Sequence, residues 1–451
     1  MAVATHIRTV VKRNGETAPF DPERIGIAIY KAASSIGGKD KELAKELARE
    51  VVEQLNGNFP GGGSPTVEDV QDQVERTLIL NGHALTAKAY ILYRQHRKQV
   101  RKGEIGRQVS GKVETIPWKL LWKTLAWNAH NDCDSFDGLN RWIRSGRFGE
   151  LVQGAEGEYN QQLDFAAQEV LHREGVRMVI VAGPSSSGKT TTTYKLAQRL
   201  KKAGMELVAI NLDNYFRDLD LHPKDEYGDH DYETPEAMDL ALINEHFEKL
   251  LKGEEVRMPV YDFHTGKQHL NQTPMRLADN QILLVDTLHG LYDDLSARVE
   301  AAAKFKLYIE TFSQVRTPDG GFFRWTDVRL LRRMVRDANF RNHDPRLTLG
   351  HWHYVRRSEM KHIIPYLHTV DFTVNGSLSY ELPVLKRQVW GYFKGLADYY
   401  QEHPERQDAI IRSQRVLHHL DALEAVGEED EAAIPGDSLM REFIGGSTIR
   451  Y

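Results

Sequence analysis

The run VIVAGPSSSGKTTTTYKLAQRL, Val179 to Leu200, dictates more local backbone than any other stretch of the chain. An apolar strand has to deliver a glycine-rich turn, and the turn has to open directly into a helix. Gly183-Pro-Ser-Ser-Ser-Gly-Lys-Thr190 fits GxxxxGK[ST] in full between those two elements, a context that makes the match strong. The glycines permit a loop tight enough for backbone amides to face phosphate oxygens, and the helix start adds favourable potential. Gly183, Ser185, Ser186, Ser187, Gly188, Lys189 and Thr190 are therefore expected to cradle ATP. Lys189 would approach the β and γ phosphates, and the Thr190 hydroxyl would face Mg²⁺. Thr191 is either the last member of that cradle or an ordinary helix residue.

From Val176 onward strands and helices alternate: MVIVAG, the helix TTTTYKLAQRL, then MELVAINLD, QILLVDTLHG, FKLYIETF and DFTVNGS. Apolar strands separated by helices predict an α/β fold, a largely parallel sheet flanked by helices, with ligands at the carboxyl ends of the strands. At 451 residues the chain exceeds what one ordinary core holds, so two or three domains are expected. The segment 1–101 reads as a mostly helical domain with a small hairpin, HIRTVVKRNGETAPF, at its front. RKGEIGRQVSG is a polar, glycine-rich boundary, and 102–175 a helical connector in which Trp118, Trp122 and Trp127 are spaced to pack on the next domain. The phosphate-binding domain spans 176–400, and 401–451 supplies a helix and a docking tail.

The rest of the composition excludes several classes. No apolar run is long enough to span a membrane, and MAVATHIRTVVKRNG lacks a secretory pattern. Cys133 is the only cysteine, which excludes an internal disulfide and suits a reducing, cytoplasmic setting. With 59 basic against 64 acidic side chains the net charge of -5 gives no support to nucleic-acid wrapping.

Asp213, in NLDNYF at the end of the second strand, could orient and deprotonate an acceptor hydroxyl, or merely cap the next turn. Asp286 follows another apolar strand and suits Mg²⁺ or its water shell. RLLRRMVRDANFR carries Arg329, Arg332, Arg333, Arg336 and Arg341; arginine forks chelate phosphate oxygens and neutralise developing charge. Arg333 and Arg336 are the strongest catalytic candidates there, the others pairing with Asp337 or solvent.

GPSSSGKT, LDNYF, PVYDFHTGK, VDTLHG and DVRLLRRMVRD together resemble the uridine kinase and phosphoribulokinase family, over roughly Val176 to Leu385. The resemblance implies an ATP- and Mg²⁺-dependent kinase acting by direct phosphoryl transfer to a nucleoside 5′-hydroxyl, with uridine or cytidine as acceptor. It implies Asp213 as general base, Lys189 and the arginines of a closing lid as charge stabilisers, and Tyr261, Phe263, His264 and Lys267 around the nucleoside. Phe263 could instead be core, and Asp262 could simply hold its loop together. Glu233 stands where such kinases commonly place an Asp on the ribose hydroxyls, Asp286 where many have Glu, and Gly266 where many have His. These departures keep a sugar, sugar phosphate or polyol acceptor open. Related kinases often form dimers or tetramers, so a homo-oligomer is expected.

VVKRNGETAPFDPERI, VEDVQDQVERTLILNG and AKAYILYR resemble an ATP-cone, a regulatory nucleotide-binding domain. That resemblance implies Lys12 and Arg13, with Arg24, as contacts for regulatory ATP or dATP. A nucleotide-sensing protein with a weak kinase centre is the alternative from another class. The ending IPGDSLMREFIGGSTIRY is read as a docking tail.

Overall fold

The protein is described from a computed structural model covering residues 5–12, 17–34, 38–59, 61, 63–83, 85–91, 116–223, 232–403 and 406–450. The chain divides into two compact units, Met1–Lys112 and Val113–Tyr451.

In the first unit, β1 (Thr9–Val11) and β2 (Thr17–Pro19) pair antiparallel, the Asn14-Gly15 turn lying outside the described residues. Asp21 accepts from the Glu23 amide at the start of α1 (Pro22–Ser34). Asp40 caps α2 (Lys41–Asn58), and Thr66 caps α3 (Val67–Leu80) through a reciprocal box with Asp69. The apolar stripes of these helices meet in one core containing Ile25, Ile29, Leu47, Val51, Leu55, Val74 and Leu78.

The second unit begins with α4 (Trp118–His130), α5 (Phe136–Arg144) and α6 (Phe148–His172). Then come β3 (Met178–Ala182), α7 (Lys189–Lys202), β4 (Glu206–Asn211) and α8 (Leu240–Leu251). β5 (Val256–Asp262) and β6 (Lys267–Met275) form an antiparallel hairpin of their own. β7 (Gln281–Thr287), β8 (Lys304–Glu310), α9 (Trp325–Phe340), α10 (Pro345–His362) and β9 (Phe372–Asn375) follow. The chain then runs through α11 (Glu381–Gln401), α12 (Gln407–Asp421), α13 (Glu428–Ala432) and α14 (Arg441–Ile444).

The main sheet has the order β4-β7-β3-β8-β9, every pair parallel. Every residue of β3 is buried, the mark of a central strand covered on both faces. Helix α6 and residues Leu439, Met440 and Phe443 share one core with β3, so both the connector and the tail are built into this unit.

One expectation is corrected here. Trp127 packs against that core, but Trp118 and Trp122 are 60% and 69% exposed. Nine residues at about 100° each carry Trp127 to the side opposite Trp118, so one helix face cannot hold all three.

The Thr66 box satisfies two donors that α3 would otherwise leave open. Thr66→Ala is expected to destabilise the first unit by about 1 kcal/mol, read from its chemical-denaturation transition.

Candidate active site

After β3 the chain crosses β7 to reach β4, whereas β8 lies on β3's other side, so a crevice opens at the carboxyl end of β3. The glycine-rich loop fills it. A Cβ on Gly183 would meet the Ile309 carbonyl at 2.4 Å, and Gly188 has φ +94°, so both positions require glycine. Ser186 is itself left-handed at φ 60°. The buried hydroxyls of Ser186 and Ser187 have no hydrogen-bond partner among the described residues. A buried donor is rarely left that way, and phosphate oxygens are acceptors of the kind these hydroxyls lack. Lys189 rests its Nζ on the Pro184 carbonyl at 3.3 Å. Burial lowers its pKa, while Asp286 and Glu442 favour its charge.

Strand register places Asp286 beside Val181 on one side and Asn211 on the other. Burial pushes the Asp286 carboxyl up to about 6; Glu442 and Asp213 add to this, and Lys189 and the Thr190 hydroxyl bond oppose it. Thr190 and Asp286 thus offer a hydroxyl and a carboxylate side by side, hard oxygen donors of the sort Mg²⁺ takes while keeping several waters. Among the described residues no cluster of three His, Cys, Asp or Glu side chains competes for a metal.

Asp213 lies just beyond β4. The turn is capped by Asn211, whose side chain accepts from the Asp213 amide at 2.9 Å, so the Asp213 carboxylate is not the cap. It is reachable from solvent yet crowded by protein, which raises its pKa, while Lys189 and Arg341 pull it down.

Helix α9 lies behind the loop. Arg329 and Arg332 are fully buried and donate to the Ser185 and Ser187 carbonyls at 3.1 and 3.2 Å. Arg329 pairs with Glu310 and Glu359, Arg332 with Glu381. The expectation that these two bind Asp337 or solvent is therefore corrected: they brace the loop from inside. Arg333 reaches the Ser185 hydroxyl at 3.2 Å, Glu233 at 3.0 Å and Asp337 at 3.3 Å. Arg336 pairs with Asp337 at 2.8 Å and sits near enough to Lys189 to disfavour its charge. Val328, Leu330, Leu331, Met334 and Val335 are buried, so in this structure α9 is a core helix rather than the expected lid.

The β5–β6 hairpin stands over the Asp213 turn, with the Asn214 side chain accepting from the Tyr261 amide at 3.3 Å. Tyr261 and Phe263 join Phe216, His222 and Tyr232 in an aromatic group; the Tyr261 and Phe263 rings are 4.9 Å apart and those of Phe216 and Phe263 6.1 Å. Phe263 is 63% exposed, which removes the core alternative for it. Tyr261 is buried, its hydroxyl unpartnered among the described residues. Asp262 holds the hairpin turn by accepting from the His264 amide and the Thr265 hydroxyl, both at 2.8 Å. The His264 side chain is exposed, and Lys267 is paired with Asp218 and Asp220. Gly266 has φ +66°, and a Cβ there would meet Leu219 at 2.8 Å. A side chain at this position would therefore need Leu219 to shift as well as a left-handed backbone.

In the first unit Lys12 is exposed, Arg24 pairs with Asp21 at 3.3 Å, and Arg13 lies outside the described residues. Phe216, His222 and Tyr232 had no periodic signal to mark them. Glu442 was hidden by sequence distance: its carboxylate accepts from the Thr191 amide and hydroxyl, 251 residues away.

A parallel sheet, a strand–glycine loop–helix unit with unsatisfied donors, and carboxylates at neighbouring strand ends define a P-loop nucleotide-binding domain. Residues 178–377 match the Phosphoribulokinase / Uridine kinase family, and residues 8–99 match the ATP cone domain. A uridine kinase from Deinococcus deserti is 26% identical over 197 residues, covering 43% of this chain and 84% of its own. One from Bacillus pumilus is 27% identical over 161 residues, covering 36% and 67%. The structure of a "possible uridine kinase" from Bacillus stearothermophilus aligns at 17% identity and TM-score 0.29, over 38% of this chain and 92% of that one. The chain carries an ATP cone domain followed by a kinase domain of the phosphoribulokinase/uridine kinase family, and it is an ATP-dependent kinase.

Removing one member of a buried ion pair leaves an uncompensated charge. Arg332→Met is expected to cost about 3–5 kcal/mol in thermal unfolding of the second unit, because it strands the Glu381 carboxylate.

Proposed function

We propose that this chain transfers the γ-phosphoryl group of ATP to the 5′-hydroxyl of a nucleoside, uridine or cytidine. One observation carries this reading above others: the Asn214–Tyr261 bond ties an open aromatic group to the same turn that presents Asp213. A flat base stacking on Phe263, Tyr261 and Phe216 would direct its sugar hydroxyl towards that carboxylate. The curated relatives named uridine kinase add independent support.

In this reading the backbone amides between Ser185 and Thr191, with the Ser185, Ser186 and Ser187 hydroxyls, hold the ATP phosphates in a turn opened by Gly183. Lys189 neutralises the β and γ oxygens. Thr190 and Asp286 would hold Mg²⁺, which when bound spreads the phosphate charge. Asp213 accepts the proton of the attacking hydroxyl as its oxygen bonds to the γ-phosphorus, and the bond to the β–γ bridging oxygen breaks to release ADP. Arg333 and Arg336 stabilise the charge on the moving phosphoryl group. Glu233, anchored to Arg333, faces the acceptor, with His264 and Lys267 at the rim of the pocket.

A sugar, sugar phosphate or polyol acceptor is the second reading. Gly266 favours it, since this part of the hairpin offers no side chain to a base. A screen of nucleosides, sugars and polyols by ATP consumption and product mass separates the two. Phosphorylation of a polyol without any of uridine or cytidine overturns the first.

Asp213→Asn is expected to lower acceptor-dependent ADP production at least about 100-fold while leaving ADP binding intact. Burial raises the Asp213 pKa, and the base works only when deprotonated, so kcat/KM should fall on acidification along a limb above the ordinary carboxylate range. Undiminished transfer in the variant excludes Asp213 as base.

We further propose that the first unit binds ATP or dATP through Lys12, Arg13 and Arg24 and regulates the kinase, and that the whole works as a homo-oligomer. Deleting residues 1–100 is expected to change the ATP and dATP dependence of the rate. Identical curves for both proteins would sink the regulatory role.

A further inference from the structure

The tail comes back to the phosphate loop. Leu439 lies so close to Gly188 that a Cβ there would stand 2.4 Å from its Cδ1. Phe443 lies under the Arg332 guanidinium, 5.1 Å from ring centroid to Cζ, and Asp437 pairs with Lys195 of α7 at 3.0 Å. Ser438 is locked by Glu156 and Tyr380, at 2.5 and 3.0 Å. This backbone is fixed by core packing, with Leu439, Met440 and Phe443 fully buried.

From that fixed platform the partly exposed Glu442 side chain reaches the first turn of α7. Its Oε2 accepts from the Thr191 amide at 3.1 Å and from the Thr191 hydroxyl at 2.7 Å. The Thr192 amide is already bonded to the Gly188 carbonyl, whereas the Thr191 amide is one of the first-turn donors that a helix leaves for an outside partner. In a GxxxxGK[ST] loop those donors are the ones that take phosphate oxygens. A carboxylate is an anion with the same demand, and Lys189 and Asp286 both feel its charge.

We propose that Glu442 is a tethered substitute for a nucleotide phosphate: it occupies the Thr191 donors and has to swing away when nucleotide phosphates take them. This rests on the P-loop being the ATP site. The backbone of the tail stays docked, and only the Glu442 side chain moves. Nucleotide affinity is then weakened by the fraction of molecules in which the carboxylate is seated. Phosphate-bearing ligands have to displace it, and a ligand without phosphates does not.

The test is calorimetric binding of ADP, inorganic triphosphate and adenosine to the full chain and to Glu442→Gln, with Asp437→Asn as a tail control. Glu442→Gln is expected to bind ADP and triphosphate at least about five-fold more tightly. Adenosine affinity should not change, and Asp437→Asn should match the parent for all three. Unchanged or weaker ADP binding by Glu442→Gln overturns the proposal, as does an equal gain for adenosine or the same gain in Asp437→Asn. If Glu442→Gln does not fold, Glu442→Asp, one methylene shorter, is expected to show a gain of the same sign, and no gain there overturns the proposal. Absence of ADP binding in parent and variants alike sinks the nucleotide reading itself, which is a separate result.

Discussion

Arg329 and Arg332 leave water entirely, and a guanidinium that does so needs partners on every side. Glu310 and Glu359 supply them for Arg329, Glu381 for Arg332, and the remaining donors turn to carbonyls of the phosphate loop. The loop is thereby pulled onto α9 with the Ser185 and Ser187 carbonyls facing that helix. Arg332 also donates to the Gly376 carbonyl at 2.7 Å, joining the end of β9 to the same clamp. Positioning of the loop, the start of α11 at Glu381 and the seat of Phe443 all follow from that one cation.

The tail depends on the same arrangement. Gly188 can sit under Leu439 because it has no side chain, and Phe443 can seat against Arg332 because the guanidinium is held flat by Glu381 and two carbonyls. A segment more than 230 residues from the loop in sequence therefore contributes to its wall. Folding of this unit couples the ends of a long stretch of chain, and contacts of that separation form only after costly loop closure.

Sequence reading went far wherever chemistry was local. The strand–loop–helix unit and the alternation of strands and helices behind the parallel sheet each rest on neighbouring residues, and each could be read off directly. Asp213 and Asp286 were legible because strand ends in a parallel sheet gather at one edge. The arginines of α9 were misread because helical spacing says which share a face, not which face is inside. The hydrophobic residues between Val328 and Val335, about two turns of helix, carried Arg329 and Arg332 into the core with them. The tryptophans of α4 failed through the same geometry, applied too generously over nine residues. Glu442 and Tyr232 carry no periodic signal, and Phe216, though it ends LDNYF, has nothing in that motif to mark it as an aromatic wall, since only tertiary contacts give these residues their neighbours.

The charges around the loop are balanced by one another. Asp337 is nearly buried and holds Arg333, Arg336 and, at 3.7 Å, Arg341; Glu233 shares Arg333; Lys189 lies among Asp286, Asp213 and Glu442. Each cation therefore has an internal anion to give up when an external one arrives, and binding exchanges partners rather than creating charge pairs from water. Such an exchange weakens affinity for the anion and strengthens discrimination, because only a ligand that meets several cations at once recovers what the internal pairs lose.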